Sequence, residues 1–186
     1  MGSKKLKAVA VTGKQKPPIS NKDQFNELLK QWWDEAYESM WGFLIPSLGT
    51  NGQLESIHEG GYLPTKNLTT NIFPAYGKFT GNAMRQYFQG KPRPCYACRF
   101  AHIHTIELKS GSHKGTFIEE AEYEGTAAFS SQIGNDDVDA AQWLNHVNDI
   151  LGMDAKEQSW VLGMAMECYN KGVITKEDTD GLDLTW

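Results

Sequence analysis

Long apolar runs are missing from this sequence: none approaches the ~20 residues a helix needs to cross a bilayer. The stretch after Lys4 and Lys5 is too short for the apolar core of a signal peptide. Met1-Gly2 does not open a myristoylation signal, because Leu6 stands where Ser or Thr is required. An excess of positive charge is missing too: 18 Lys and Arg face 23 Asp and Glu, for a net charge of −5. That balance leaves no basic footprint for nucleic acid. Cysteine is scarce, and three residues, two of them close together, do not build a disulfide framework. No internal repeat or low-complexity tract occurs. These absences imply a cytoplasmic chain in a reducing environment, with no nucleic-acid partner and no membrane insertion.

What is present is an ordinary globular composition, 40% hydrophobic and 22% charged. The 186 residues suffice for one domain with a real core, or one domain and a scrap of another. Small apolar residues alternate over 7–13 and stop at Gly13, which predicts one short strand. Residues 14–18 form a polar, proline-containing linker. Ser20 is expected to cap a long amphipathic helix whose face carries Phe25, Leu28, Leu29, Trp32, Trp33, Ala36 and Met40. From 47 to 94 the pattern breaks into turns and short helices at Gly60-Gly61, Pro64, Asn67, Pro74 and Gly81. Such a stretch usually wraps something or packs in a larger assembly.

The last third is helical in pattern. Asn135 or Asp136 is expected to cap a helix with Ala140, Leu144, Val147 and Leu151 toward the core, ending at Gly152. A second helix, roughly 155–169, carries Trp160, Met164 and Cys168 on one stripe and stops before Gly172. The expected fold class is mainly α. A lone strand at the start would lack partners for its backbone. The chain therefore reads as beginning at the tail of a sheet-containing domain that is absent.

The most chemically loaded stretch is Pro94-Cys95-Tyr96-Ala97-Cys98, followed by His102, His104 and His113. Two thiolates three residues apart on a turn can grip one metal centre. Three readings stay open on these residues. Zinc would use Cys95, Cys98, His102 and His104 in a structural or interaction role. An iron–sulfur cluster would take further ligands from elsewhere. Two ordinary reduced cysteines beside surface histidines are the third. Cys168, on an apolar stripe, reads as core.

Acidic groups supply the other candidates. In Asp149-Ile-Leu-Gly152-Met153-Asp154, a helix end, a glycine turn and a new helix start succeed one another. The carboxylates and turn amides there suit the N–H groups of a heterocycle, and equally suit ordinary capping, with Gly152 at C′ and Asp154 at the N-cap. Glu119, Glu120, Glu122 and Glu124 crowd around Tyr123. Such a run is usually a solvated face, yet one carboxylate in a cleft can act as acid or base.

Taken in order, these segments resemble the aldehyde:ferredoxin oxidoreductase family along nearly the whole chain. Met1-Gly-Ser-Lys4 is similar to the family's MGSK segment, Leu63-Pro-Thr-Lys-Asn67 to its LPTRN segment, and Glu122-Tyr-Glu124 to its EYE segment. Asp149 to Ala155 is similar to its DxxGLDx pterin motif, with Met153 in place of Leu. Glu177-Asp-Thr-Asp-Gly-Leu182 follows as in the family. The resemblance implies a tungsten or molybdenum bis-pterin, a 4Fe–4S cluster, and ferredoxin or an electron-transfer subunit as partner. It implies Cys95 and Cys98 as cluster ligands, with His102 where the third cysteine belongs. It also implies Glu122 and Glu124 as catalytic candidates, and Asp149, Gly152, Met153 and Asp154 as the pterin contact. Residues 1–13 would be the tail of the N-terminal pterin-binding domain and 14–186 a helical middle domain, with the C-terminal domain absent. The remaining domains of the parent enzyme would then be partners. The histidine-rich stretch from His102 to His113 points to a specialised branch such as the tungsten subunit of class II benzoyl-coenzyme A reductase.

Overall fold

The structure, a computed structural model, describes residues 2–186. The chain divides into two compact units, Met1–Leu44 and Ile45–Trp186. Among the described residues, no helix is long and apolar enough to cross a membrane.

In the first unit the strand expected over 7–13 does not form; the segment is exposed coil. Among the described residues no strand pairs with it, so it joins no ladder. The helix α1, Lys22–Glu38, forms as the spacing predicts, but Asn21 caps it in place of Ser20, its side chain accepting the Gln24 amide at 3.0 Å. Of the apolar face only Trp33 is buried, while Phe25, Leu28, Trp32 and Met40 stay exposed. In the first turn of α2, Met40–Leu48, a Cβ on Gly42 would lie 1.9 Å from the Ala36 carbonyl oxygen at the end of α1. Only glycine permits that turn.

The second unit is mostly helical, as expected. It holds α3 (Leu54–Glu59), α4 (Gly81–Phe88), α5 (Tyr123–Phe129), α6 (Val138–Leu151) and α7 (Ala155–Asn170). Between α4 and α5 lies a small antiparallel sheet, β1 (Lys91–Pro92), β2 (His104–Glu107) and β3 (Phe117–Glu119), in the order β1-β2-β3. Ile106 faces Ile118 across it, and both join Met84, Phe88 and Leu108 in one apolar cluster. A second cluster gathers Leu54, Leu63, Phe73, Phe79 and Phe129.

The helices α6 and α7 are turned from their expected orientation. In α6 the buried positions are Asp139, Ala141, Gln142, Asn145 and Asn148, whereas Leu151 is exposed. The physical reason is hydrogen bonding to irregular backbone. Gln142 accepts the Ala121 amide at 2.7 Å and donates to Thr126 Oγ1 at 3.2 Å, and Asn148 donates to the Met153 carbonyl at 2.8 Å. Buried polar groups must find such partners, and here they set the helix rotation. A Cβ on Gly125 would lie 2.2 Å from Asn145 Oδ1, so α5 meets α6 through a missing side chain. In α7 the buried residues are Ser159 and Gly163, while Trp160 and Met164 are exposed and Cys168 is half-buried.

After α7 the chain closes in a polar turn. Asp183 accepts the Thr185 amide and hydroxyl at 3.1 and 2.6 Å and pairs with Lys176 at 3.2 Å. The hydroxyl and amide of Thr185 foremost, then Lys176, hold its carboxyl down at about 2. A depressed carboxyl pKa stabilises the fold above the unfolded value and loses that contribution as pH falls through the folded one. The expected outcome is a carboxyl resonance for Asp183 that titrates near 2 by NMR; a midpoint at the ordinary value of 3.8 would show the turn unformed.

Candidate functional site

The cysteine loop is the connection between β1 and β2. Its base is closed by the Arg93 amide donating to the Ile103 carbonyl at 2.8 Å and by an Arg93–Glu119 ion pair at 2.6 Å. The Cys98 amide donates to the Cys95 carbonyl at 3.0 Å, closing a turn with Ala97 at φ 58°. All three thiols are free, Cys95 exposed and Cys98 half-buried. Two thiols on one turn, one exposed and one half-buried, are the residue types that could hold one side of a cluster.

The histidines go elsewhere. His102 places Nε2 3.0 Å from Glu122 Oε1. His104 is buried, with Nδ1 3.2 Å from the His102 carbonyl oxygen and 3.5 Å from Glu120 Oε2. Burial foremost, then the charge of Arg85, holds His104 below the ordinary histidine value, which favours its neutral form. Among the described residues, no three His, Cys, Asp or Glu side chains gather where a metal ion could sit. The set Cys95, Cys98, His102 and His104 is therefore not brought together.

Behind His104 lies a buried ion pair. Arg85 donates from Nη1 to Glu120 Oε1 at 2.8 Å, and its Nη2 lies 2.7 Å from Oε2 but outside hydrogen-bond geometry. Burial raises the Glu120 carboxyl above its ordinary value, more than Arg85 lowers it. Gly49 makes room: with φ at 65°, a Cβ there would lie 2.9 Å from Arg85 Nη2. Sequence reasoning missed this cluster. Arg85 and Glu120 are 35 residues apart, and Glu120 sits in an acidic run that resembles a solvated face.

Glu122 and Glu124 part company at the start of α5. Glu122 is the residue before the helix and borders a cavity of about 10 Å³ with His102 and Asn51. Its alignment is set by the adjacent Tyr123 amide, which donates to Thr50 Oγ1 at 2.8 Å. Glu124, in the first turn, lines a different cavity of about 120 Å³ with Tyr123, Gln132 and Trp160. Burial foremost, then Glu124, raises the Tyr123 phenol above its ordinary value. Glu122 thus pairs with the cysteine loop, whereas Glu124 lines the larger of the two cavities.

At the α6–α7 junction the capping roles are realised. Gly152 is left-handed at φ 69°, its amide donating to the Asp149 carbonyl at 3.0 Å. Asp154 Oδ1 accepts the Glu157 amide at 3.0 Å as the N-cap of α7. Asp149 accepts from Asn145 at 3.0 Å, and burial followed by the charge of Glu119 raises its carboxyl. Asp149, Gly152, Met153 and Asp154 are all exposed on this corner, so acceptor oxygens remain presented outward. That suits a ring bearing N–H donors.

Comparison with known proteins gives the family. The family model described as "Aldehyde ferredoxin oxidoreductase, domains 2 & 3" matches residues 27–186. The tungsten-containing aldehyde ferredoxin oxidoreductase of Pyrococcus horikoshii is 32% identical over 183 residues, 97% of this chain and 29% of the relative. That of Pyrococcus furiosus is 32% identical over 179 residues, 96% of this chain and 29% of the relative. The aliphatic sulfonate oxidoreductase, WOR-like subunit, of Pyrococcus furiosus is 28% identical over 187 residues, 100% of this chain and 30% of the relative. The chain belongs to the aldehyde ferredoxin oxidoreductase family, an oxidoreductase family, and spans under a third of the length of these relatives.

Proposed function

We propose that this chain forms part of the shell around a tungsten or molybdenum bis-pterin and an iron–sulfur cluster. The enzyme would oxidise or reduce an aldehyde or related carbonyl, or an aromatic thioester, and exchange electrons with ferredoxin or an electron-transfer subunit. The observation that carries this reading is 32% identity along 97% of the chain to a relative whose name states tungsten. Residues 1–13 would be the tail of a pterin-binding domain, and 14–186 a helical middle domain.

When bound, the pterin-held metal supplies two-electron chemistry and the cluster moves single electrons. Asp149 and Asp154 would accept N–H groups of the pterin, with Gly152 and Met153 forming the turn between them. Cys95 and Cys98 would hold one side of the cluster from the turn their backbones close. Glu124, which lines a small cavity, would hold or deliver a proton at the substrate oxygen. Glu122, bound to His102, steadies the cysteine loop against α5.

Metal analysis of the full-length protein containing this chain tests the reading. Tungsten or molybdenum is expected together with iron, and a brown colour with broad visible absorbance. Replacing both Cys95 and Cys98 by Ser is expected to remove most of the iron and bleach that absorbance. A preparation with neither tungsten nor molybdenum would overturn the proposal, and a colourless one with stoichiometric zinc would put a zinc-binding helical domain in its place.

A further inference from the structure

We infer that His102 is a positioning residue and not a metal ligand: its imidazole clamps the base of the cysteine loop to Glu122 at the start of α5. This deepens the function proposed above and rests on its reading that Cys95 and Cys98 hold a cluster.

By spacing alone, the first imidazole after Cys98 is the readiest third ligand for the cysteine pair. The fold puts it to another use. The loop closes where the Arg93 amide meets the Ile103 carbonyl, so His102 adjoins the closing residue, while Cys95 and Cys98 form their own turn farther along. Left-handed Ala101, at φ 41°, stands between that turn and His102. The His102 carbonyl oxygen lies 3.2 Å from His104 Nδ1, and a Cβ on Gly49 would come within 3.1 Å of it. His104 in turn gives its carbonyl to the Glu120 amide at 2.8 Å. The backbone at 102 is thus held by the layer beneath the loop.

The ring is held as well. Its Nε2 lies 3.0 Å from Glu122 Oε1, and a carboxylate only accepts, so the partner assigns the hydrogen to Nε2. That bond crosses 20 residues of chain and ties the loop to the helix whose first turn carries Glu124. Among the described residues, no three His, Cys, Asp or Glu side chains gather, so the ring is not shared between Glu122 and both thiols. The rival arrangement is well defined. A ligating histidine often donates its second ring N–H to a carboxylate, and Nδ1 would then bind the metal. The two differ in what each residue is worth. For a ligand, replacing His102 removes a metal bond and replacing Glu122 only loosens one. For a clamp, either substitution removes the same bond, and the double substitution adds nothing.

The full-length protein, with its histidines labelled by nitrogen-15, is expected to show no directly bound histidine nitrogen in the hyperfine spectrum of the reduced cluster. The pair is partly exposed, so its bond is modest. His102→Ala and Glu122→Ala should each speed iron loss to a chelator about fivefold, and the double variant no more. Glu122→Gln, which keeps an acceptor, should stay near wild type. Histidine ligation raises a cluster's potential, so the clamp requires that His102→Ala and Glu122→Ala leave the same midpoint potential. A bound histidine nitrogen, additive losses, or a potential change confined to His102→Ala overturns the inference and leaves the broader proposal standing. A protein free of iron, tungsten and molybdenum sinks the broader proposal instead. The clamp is then read by the same cycle on tryptic cleavage at Arg99: equal acceleration in both single variants supports it, and unchanged cleavage overturns it.

Discussion

Arg85→Met is expected to destabilise the folded protein by about 3–5 kcal/mol, read as a shift in urea midpoint at neutral pH. The Glu120 side chain is 3% exposed and Arg85 is the cation beside it, so truncation strands a buried carboxylate. The Ser47 carbonyl loses the Arg85 Nε donor at 3.2 Å as well. The pair is not thereby worth that energy: Arg85→Met with Glu120→Leu should recover most of the loss, because replacing both charges removes both desolvation costs. The pH dependence has a definite sign. A carboxyl whose folded pKa lies above its unfolded value binds more protons folded than unfolded, so stability falls as pH rises through that window. Burial already raises Glu120 with Arg85 present, and without it the carboxyl goes higher. The variant's deficit should therefore shrink on going from neutral pH toward 5. A deficit that stays constant would mean that Glu120 escapes to solvent.

Asp139→Ala is expected to cost about 3 kcal/mol, because one buried carboxylate serves three donors. It accepts the Lys109 amide at 2.5 Å, the Tyr87 hydroxyl at 2.6 Å and the Ser110 hydroxyl at 2.9 Å. It also lies in the first turn of α6, where negative charge favours the helix. Removing it unties the loop after β2 from both α4 and α6. Asp139→Asn keeps one acceptor and should cost about half as much, by the same mutational scale. Burial first, and then the bond to Asp139, holds the Tyr87 phenol above its ordinary value. Ultraviolet titration of either variant should bring that phenol down. An Asp139→Ala variant as stable as wild type would show that water replaces the carboxylate without loss.

Much of this protein is read from neighbours along the chain. The existence and ends of α1, α6 and α7 follow from spacing and capping chemistry, with errors of one or two residues: Asn21 caps instead of Ser20, and Asp137 instead of Asn135 or Asp136. The cysteine turn and the Gly152 corner were legible because each is a local backbone device. The short strands β2 and β3 were not. Four and three residues give too little periodicity, and the histidines of 102–104 drew attention to metal chemistry instead.

What the sequence by itself determined is the helical class, the family and the local turns that present Cys95, Cys98, Asp149 and Asp154. Each depends on residues a few positions apart. Only the tertiary structure decided which face of α6 and α7 is buried, that Glu122 and Glu124 serve different places, and that His102 pairs with Glu122. Those outcomes depend on partners such as Glu167 for Asn67, 100 residues away, and Ala121 for Asn51, 70 residues away. A buried polar group takes whichever partner the fold brings within about 3 Å, and no spacing along the chain encodes that choice.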